Sequence, residues 1–203
     1  MNPIPVRDVP AIRAGLRAAA LAAIGLLAAC SQPAREARMT VADPPAPAAA
    51  PRAPLHQAVA VGEVVGGRPT SPLWLSQVDN PAFATALGRS LQASAMLALD
   101  DPAPRYLVSA QLLELRQPWF FIDPTVTSRV AYRVVDRASG MIVHEDEVTS
   151  ASTVKIESEI LGPERLRQAS EGAIRENIRL FLERFAEHRP PSGEVPRPLA
   201  ATR

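Results

Sequence analysis

Two stretches in which apolar and polar residues alternate constrain the fold of this chain more than any other feature. A period of two residues places alternate side chains on opposite faces of a β-strand. In residues 105–116 one face carries Tyr106, Val108, Ala110 and Leu112. In residues 125–135 it carries Val126, Ser128, Val130, Tyr132 and Val134. The turn residues 136–140 follow, with Gly140 suited to a left-handed position, so the pattern predicts a hairpin whose returning strand runs from Met141 to about Val154.

Two segments show the spacing of amphipathic helices. Asn80-Pro81 predicts a helix start with Asn80 as N-cap, and the helix is expected to continue to about Leu99. Gly162-Pro163 predicts the start of a second, longer helix. Its expected apolar stripe comprises Leu166, Ala169, Ala173, Ile174, Ile178, Phe181, Leu182 and Phe185. Its charged residues, Arg165 and Arg167 among them, are expected on a solvated face.

These elements, with a further strand over residues 58–65, predict one α+β domain spanning residues 58–188. The expected order is β-α-β-β-β-α. We expect two layers, an antiparallel sheet of about four strands with both amphipathic helices packed on one face. The run His144-Glu145-Asp146-Glu147 would place charge on both faces of its strand, which predicts a sheet edge.

The segments that flank this domain lack periodicity. Residues 31–57 are rich in Pro and Ala and nearly free of large apolar side chains, so we expect a disordered linker following Cys30. Fully extended as polyproline II, such a linker would reach about 80 Å. Residues 189–203 are predicted to form a disordered Pro-rich tail.

The first 29 residues have the layout of a secretory signal peptide. Arg7, Arg13 and Arg17 precede an apolar run over residues 18–29, and small residues stand before Cys30. Twelve apolar residues are too few to cross a bilayer, which takes about 20. Cys30 is the only cysteine of the chain. It is either an incidental free thiol after an ordinary signal peptide or part of the cleavage signal itself.

Leu27-Ala28-Ala29-Cys30 resembles the lipobox of bacterial lipoproteins. The resemblance implies that a signal peptidase recognises Leu27, Ala28 and Ala29, and that Cys30 carries a covalent lipid as the first mature residue. Several acyl chains on one cysteine would give a stable membrane anchor. Because Ser31, and not Asp, follows the cysteine, the resemblance also implies the outer membrane and its periplasmic face.

By element order, the domain resembles small periplasmic α/β lipoproteins of the YajG-like type and lipoproteins that activate cell-wall synthases. It is less similar to auxiliary lipoproteins of envelope lipid transporters. The first resemblance implies a non-enzymatic accessory or assembly factor that binds another envelope protein. The second implies an auxiliary lipoprotein of an ABC-type lipid transport system, with a hydrophobic ligand in an apolar cavity between helices and sheet. Function inferred from element order is analogy.

Three consecutive aromatic residues, Trp119, Phe120 and Phe121, lie in a loop bounded by Pro118 and Pro124. They are conspicuous in a chain with only 4% aromatic residues. The loop either folds back as a lid on the core or stays exposed as a partner-binding patch.

The sequence lacks the motifs that are typical of catalysis, metal binding and nucleic-acid binding. The three histidines, His56, His144 and His188, are far apart and lack an HExxH spacing, so we predict no metal site. Glu157 and Glu159 could act as acid and base only within a cleft that also gathered Asp123 and His144. A net charge of +1 gives no bulk attraction to nucleic acid. We therefore expect a non-enzyme whose only attached group is the lipid on Cys30.

Overall fold

The computed structural model describes residues 33–44, 55–70, 77–99, 103–119 and 122–187. The predicted lipidation motif, Phe120, Phe121, His188 and the predicted C-terminal tail lie outside these residues. Within them the elements are α1 (Glu36–Met39), β1 (Val59–Val65), α2 (Asn80–Ala93), β2 (Tyr106–Arg116), β3 (Thr125–Asp136), β4 (Ile142–Thr153) and α3 (Gly162–Glu187).

The four strands form one sheet in the order β1-β2-β3-β4. The predicted α+β class and four-stranded sheet are confirmed. The prediction that the sheet is wholly antiparallel is wrong for one pair. β2 and β3, like β3 and β4, are antiparallel, whereas β1 and β2 are parallel. The reason is the connection: α2 lies between β1 and β2 in the chain, and a helical crossover returns the chain in the same direction.

The helices pack on one face of the sheet, and the core lies between the two layers. Every residue of the predicted apolar stripe of α3 is buried. The rings of Tyr132 on β3 and Phe181 on α3 stack with centroids 4.1 Å apart, and Phe181 in turn stacks on Phe185 at 5.6 Å. The period-two pattern of β3 and the helical pattern of α3 therefore meet in a common aromatic stack.

The N-terminal segment over residues 33–44 belongs to the folded domain. Met39 and Val41 are buried in the main core, and the backbone N–H of Val41 donates to Ser90 Oγ on α2 at 2.9 Å. On the other side, Arg175 of α3 donates to the carbonyl oxygen of Arg38 at 3.2 Å. The expectation of a disordered linker throughout residues 31–57 is wrong for this part. Three apolar residues, Ala34, Met39 and Val41, are enough when the segment lies against both α2 and α3.

The N-cap of helix α2 lies one residue earlier than predicted. Asp79 is the N-cap, and its Oδ1 accepts from the backbone N–H of Ala82 at 2.8 Å. Asn80 instead accepts from the backbone N–H of Gly67 at 2.7 Å, which ties the loop after β1 to the helix start. The helix ends at Ala93, not at Leu99 as predicted, because Ala95 adopts a positive φ of 55°.

The domain has two ends, which the strand registers define. At the upper end β1, β2 and β4 end, β3 begins at Thr125, and both α2 and α3 begin. At the lower end β2 begins at Tyr106, opposite Asp136, and the β3–β4 hairpin turns through Gly140 at a φ of 71°. The 12 residues of β4 separate the two ends by about 37 Å.

Substitution of Gly66 is expected to destabilise the domain. Gly66 follows β1 with a φ of 86°, and a Cβ there would overlap the carbonyl oxygen of Leu112 on β2. We expect Gly66→Ala to lower the free energy of unfolding by about 2 kcal/mol. Gly88→Ala is the matched control, since its Cβ would lie 3.6 Å from Val61 Cγ2 and alanine favours a helix. Denaturant unfolding of both variants provides the test, and equal stability of the two would contradict it.

Candidate interaction surface

Five large apolar side chains are exposed together at the upper end. Trp119 is 97% exposed and Ile160 is 84% exposed, and Ile122, Ile156 and Leu161 are also exposed. They lie in two loops, the β2–β3 loop and the β4–α3 connection. We call these five residues the apolar end. Exposed apolar groups of this kind mark contact sites for proteins or membranes.

Asp123 joins the two loops of the apolar end. Its Oδ2 accepts from Lys155 Nζ at 2.9 Å, and its Oδ1 accepts from the backbone N–H of Ile156 at 2.9 Å. The hydrogen bond from Lys155, followed by that from Ile156, lowers the pKa of Asp123 below its ordinary value. Asp123 therefore acts as a brace that holds the loops beside each other.

Arg165 fixes the second loop against the first turn of α3. Its Nη1 donates to the carbonyl oxygens of Glu159 at 2.7 Å and Ile160 at 2.5 Å. The backbone carbonyls of Glu159 and Ile160 are thus turned toward the protein while the Ile160 side chain points outward. This arrangement presents an apolar side chain from a restrained backbone, which lowers the entropy lost when a partner covers it.

Trp119 is exposed, so this residue does not fold back as a lid on the core. Its role in binding a partner stays a prediction. Phe120 and Phe121 lie outside the described residues. Sequence reasoning missed Ile156, Ile160 and Leu161. The available signal was the pair Ile160-Leu161, which stands directly before the Gly-Pro helix start and belongs to neither periodic pattern.

A buried charge cluster lies next to the apolar end. Arg167 is 2% exposed and Glu171 is 3% exposed, so the prediction that α3 keeps its charges on a solvated face is wrong for this turn, as it is for Arg165. Arg167 forms an ion pair with Glu164 and lies 3.7 Å from Glu171, measured from Nε to Oε1. Burial raises the pKa of Glu171, against the opposing effect of the backbone N–H of Arg35.

The N-terminal segment covers this cluster, which is why the charges are buried. The backbone N–H of Arg35 donates to Glu171 Oε1 at 2.8 Å, and the Arg35 guanidinium lies 3.9 Å from Glu164. One residue earlier, the N–H of Ala34 donates to the carbonyl oxygen of Gln77 at 3.4 Å, just before α2. The described N-terminal segment therefore begins at the upper end.

Gln168 connects this N-terminal contact to the apolar end. Its Nε2 lies 3.3 Å from Glu164 Oε1, the carboxylate beside Arg35, and 3.4 Å from Glu159 Oε2. Glu159 directly precedes Ile160. The side chains of Glu164, Gln168 and Glu159 thus connect Arg35, near the start of the described chain, to the position of Ile160 in the apolar end.

The acidic residues and the histidine weighed as possible catalytic groups do not converge. Asp123, Glu157 and Glu159 lie in the upper loops, whereas His144 pairs with Val134 near the lower end and packs 5.4 Å from the Phe185 ring. Within the described ranges no group of three His, Cys, Asp or Glu residues could hold a metal ion. The described helices also include none that is long and apolar enough to cross a membrane.

The charged run on β4 lies on an edge strand, as predicted. Glu145 forms an ion pair with Arg133 on the open face of the sheet, and Asp146 forms one with Arg184 on the helix side. Such charges oppose pairing with another strand. The charged edge is therefore a poor surface for the addition of a further strand.

Side chains fill the space between helices and sheet that a hydrophobic ligand would need. Phe83, Leu87, Tyr132, Ile174 and Phe181 are all fully buried there. An open cavity of about 280 Å³ lies elsewhere, at the strand ends, and the described residues of its lining are Gly66, Arg68, Gln77, Leu112, Leu113, Glu114 and Leu115. Its walls include charged and polar side chains, so it differs from the apolar cavity that a lipid carrier predicts.

The fold and this surface define a small α+β domain whose upper end exposes five large apolar side chains. No family model matches the chain, and no curated protein matches it. A solved structure from Xanthomonas campestris is similar, with a TM-score of 0.49 and 12% identity over 68% of this chain and 90% of that one. A hypothetical protein from Chlamydia trachomatis gives 0.45 and 15% over 64% and 95%. A minor lipoprotein from Acinetobacter baumannii gives 0.41 and 13% over 67% and 97%. These similarities are too low to assign a family or a function.

Proposed function

We propose that this chain is a lipid-anchored accessory protein of the outer membrane, which faces the periplasm and binds another component of the cell envelope through its apolar end. The anchor rests on Leu27-Ala28-Ala29-Cys30 behind an Arg-containing leader and an apolar run. The binding role rests on one structural observation, the exposure of five large apolar side chains from two braced loops. The protein acts without catalysis.

The anchor is tested by metabolic labelling with an alkyne-bearing palmitate. We expect the label on the wild-type chain and none on Cys30→Ser, because Cys30 is the only cysteine and hence the only thiol that can be acylated. Fractionation should place the labelled chain in the outer membrane. A labelled chain found only in the inner membrane would correct the location, and an unlabelled chain would refute the anchor.

The binding surface is tested by photo-crosslinking in the cell. A photoreactive residue at position 119 is expected to crosslink to an envelope component, since the Trp119 side chain is almost wholly exposed. The same residue at Met141, which is exposed at the lower end, is the matched control. We expect Trp119→Ala, combined with Ile160→Ala, to abolish crosslinking from position 156 without changing the unfolding midpoint. Equal crosslinking from positions 119 and 141 would count against the apolar end.

The alternative function, a carrier of a hydrophobic ligand for an envelope lipid transporter, has less support from the geometry. It requires open space between α3 and the sheet, where Tyr132 and Phe181 stack at 4.1 Å. Lipid extracted with the purified protein and analysed by mass spectrometry is the direct test. A stoichiometric bound lipid would favour the carrier over the accessory protein.

A further inference from the structure

We infer that the apolar end rests in the surface of the same bilayer that holds Cys30, so that the envelope component it contacts is the lipid itself. This inference rests on the proposed anchor and gives the occupant of the proposed surface. Its basis is the position at which the chain joins the domain, together with the chemistry of the side chains displayed there.

The tether between Cys30 and the domain is short. Ala34 is already fixed to Gln77, and Arg35 to Glu171, at the upper end. Three residues lie between Cys30 and Ala34, and the four Cα–Cα steps from one to the other span at most about 14 Å in a fully extended chain. The reach of about 80 Å expected for a disordered linker is therefore not available. A lipid on Cys30 would hold the upper end within about 14 Å of the membrane.

A short series of side-chain contacts connects the apolar end to that tether. Arg35 contacts Glu164, and Gln168 lies between Glu164 and Glu159, which precedes Ile160. A domain held this close by its upper end presents the side chains of that end to the lipid, while the β3–β4 turn points away. The apolar end and the anchor thus lie on the same side of the domain.

The side chains at this end are of the types that prefer a membrane interface to water. Tryptophan prefers the headgroup level of bilayers, and isoleucine and leucine gain free energy in the acyl region. Arg116 and Lys155 are exposed beside the loops, each paired with a carboxylate, Glu114 and Asp123 respectively.

Positive charge is not in excess at this end. The exposed basic residues Arg35, Arg116 and Lys155 are paired with Glu164, Glu114 and Asp123, respectively. Glu157 and Glu159 add further negative charge. Electrostatic attraction to anionic lipid is therefore small, and burial of apolar surface supplies the contact. A shallow insertion of this type reaches about 5–10 Å into the interface.

The test uses the fluorescence of Trp119 in vesicles of brominated phosphatidylcholine, in which the bromine atoms quench tryptophan at the depth of the acyl chains. The lipidated full-length product is purified from membranes as Trp74→Phe, which leaves Trp119 as its only tryptophan. The matched control carries Trp74→Phe and Trp119→Phe with Met141→Trp, which moves the fluorophore to the lower end about 37 Å away on the same anchor.

We expect brominated lipid to quench a large share of the Trp119 emission relative to unbrominated lipid, because side chains at the interface insert about 5–10 Å into the headgroup and acyl boundary. Emission from the control should stay unchanged. Unquenched Trp119 would overturn the inference, and so would equal quenching at both positions. A crosslink from position 119 to a protein, without quenching, would replace the lipid by a protein partner. Palmitate labelling keeps the two proposals distinguishable: an unlabelled Cys30 refutes the anchor, whereas a labelled chain with unquenched Trp119 refutes only the membrane contact.

Discussion

Glu171→Ala is expected to lower the free energy of unfolding by about 4 kcal/mol. It leaves the buried Arg167 guanidinium with Glu164 as the one remaining carboxylate of its two neighbours. Arg167 and Glu171 are both almost fully buried, and Glu171 also accepts the backbone N–H of Arg35. The substitution therefore removes an ion-pair partner and the acceptor that holds the N-terminal segment. Denaturant unfolding measures the loss. Amide exchange at Arg35 and Met39 should accelerate, since the segment is released from α3.

Glu176→Ala is the matched control for this prediction. Glu176 lies on the same helix and pairs with Arg179, but both side chains are more than one-third exposed. Solvent screening limits such a pair to about 1 kcal/mol or less. If the two alanine variants lost equal stability, the importance assigned to the buried cluster would be contradicted.

The same cluster predicts how stability changes with pH. Burial raises the pKa of Glu171 above its ordinary 4.5, so the folded protein holds that proton to a higher pH than the unfolded chain does. Wherever the folded state binds more protons, stability falls as the pH rises. Glu171→Gln keeps an acceptor for Arg35 but cannot ionise. The difference in unfolding free energy between Glu171→Gln and wild type should therefore shift in favour of the variant as the pH rises through the window above 4.5.

Asn177→Ala is expected to be as harmful, at about 4 kcal/mol, because one amide side chain satisfies buried groups from two strands. Its Nδ2 donates to the carbonyl oxygen of Val148 at 2.8 Å and to Ser128 Oγ at 3.2 Å. Its Oδ1 accepts from the Tyr132 hydroxyl at 2.9 Å. Burial, and next the nearby charge of Asp146, raises the pKa of Tyr132 well above 10, so that hydroxyl remains a donor. Thermal or denaturant unfolding gives the measurement.

A double-mutant cycle makes this prediction specific to the hydrogen bond. Tyr132→Phe alone should cost about 1 kcal/mol, because it leaves the Asn177 oxygen with one partner fewer. In the Asn177→Ala background the same change should be neutral or stabilising, since it removes a buried hydroxyl that has lost its acceptor. Additive losses would show that Tyr132 and Asn177 act independently.

Periodicity predicted the parts of the fold that bury a continuous face. The alternation of β3 and the stripe of α3 each repeat over many residues, and both meet in the core as expected. The pairing of β1 was not predictable from its own residues. A strand of seven residues carries no direction, and only the helix between β1 and β2 makes the parallel arrangement the natural one.

The candidate site was predictable only in part. Trp119 stood out because it is aromatic in a Pro-bounded loop. The burial of Arg167 and the ordering of residues 33–44 were missed together, since each depends on the other. A Pro/Ala-rich segment has no periodic apolar pattern that would predict folding. The helical pattern alone places Arg167 on the solvated face, and its burial depends on the segment with Ala34 and Arg35 that lies over the helix. Such cooperative contacts between residues over 130 positions apart leave no local pattern.

The path of the N-terminal segment also determines how the domain would bear mechanical load. A pull on the chain upstream of residue 33 acts first on the bonds from Ala34 to Gln77 and from Arg35 to Glu171. Next come the ion pair between Glu36 and Arg89 and the buried Met39 and Val41. Only after these contacts break does force reach Val59 at the beginning of β1. The contacts of the N-terminal segment would thus break before tension at the tether reached the sheet and its parallel edge strand.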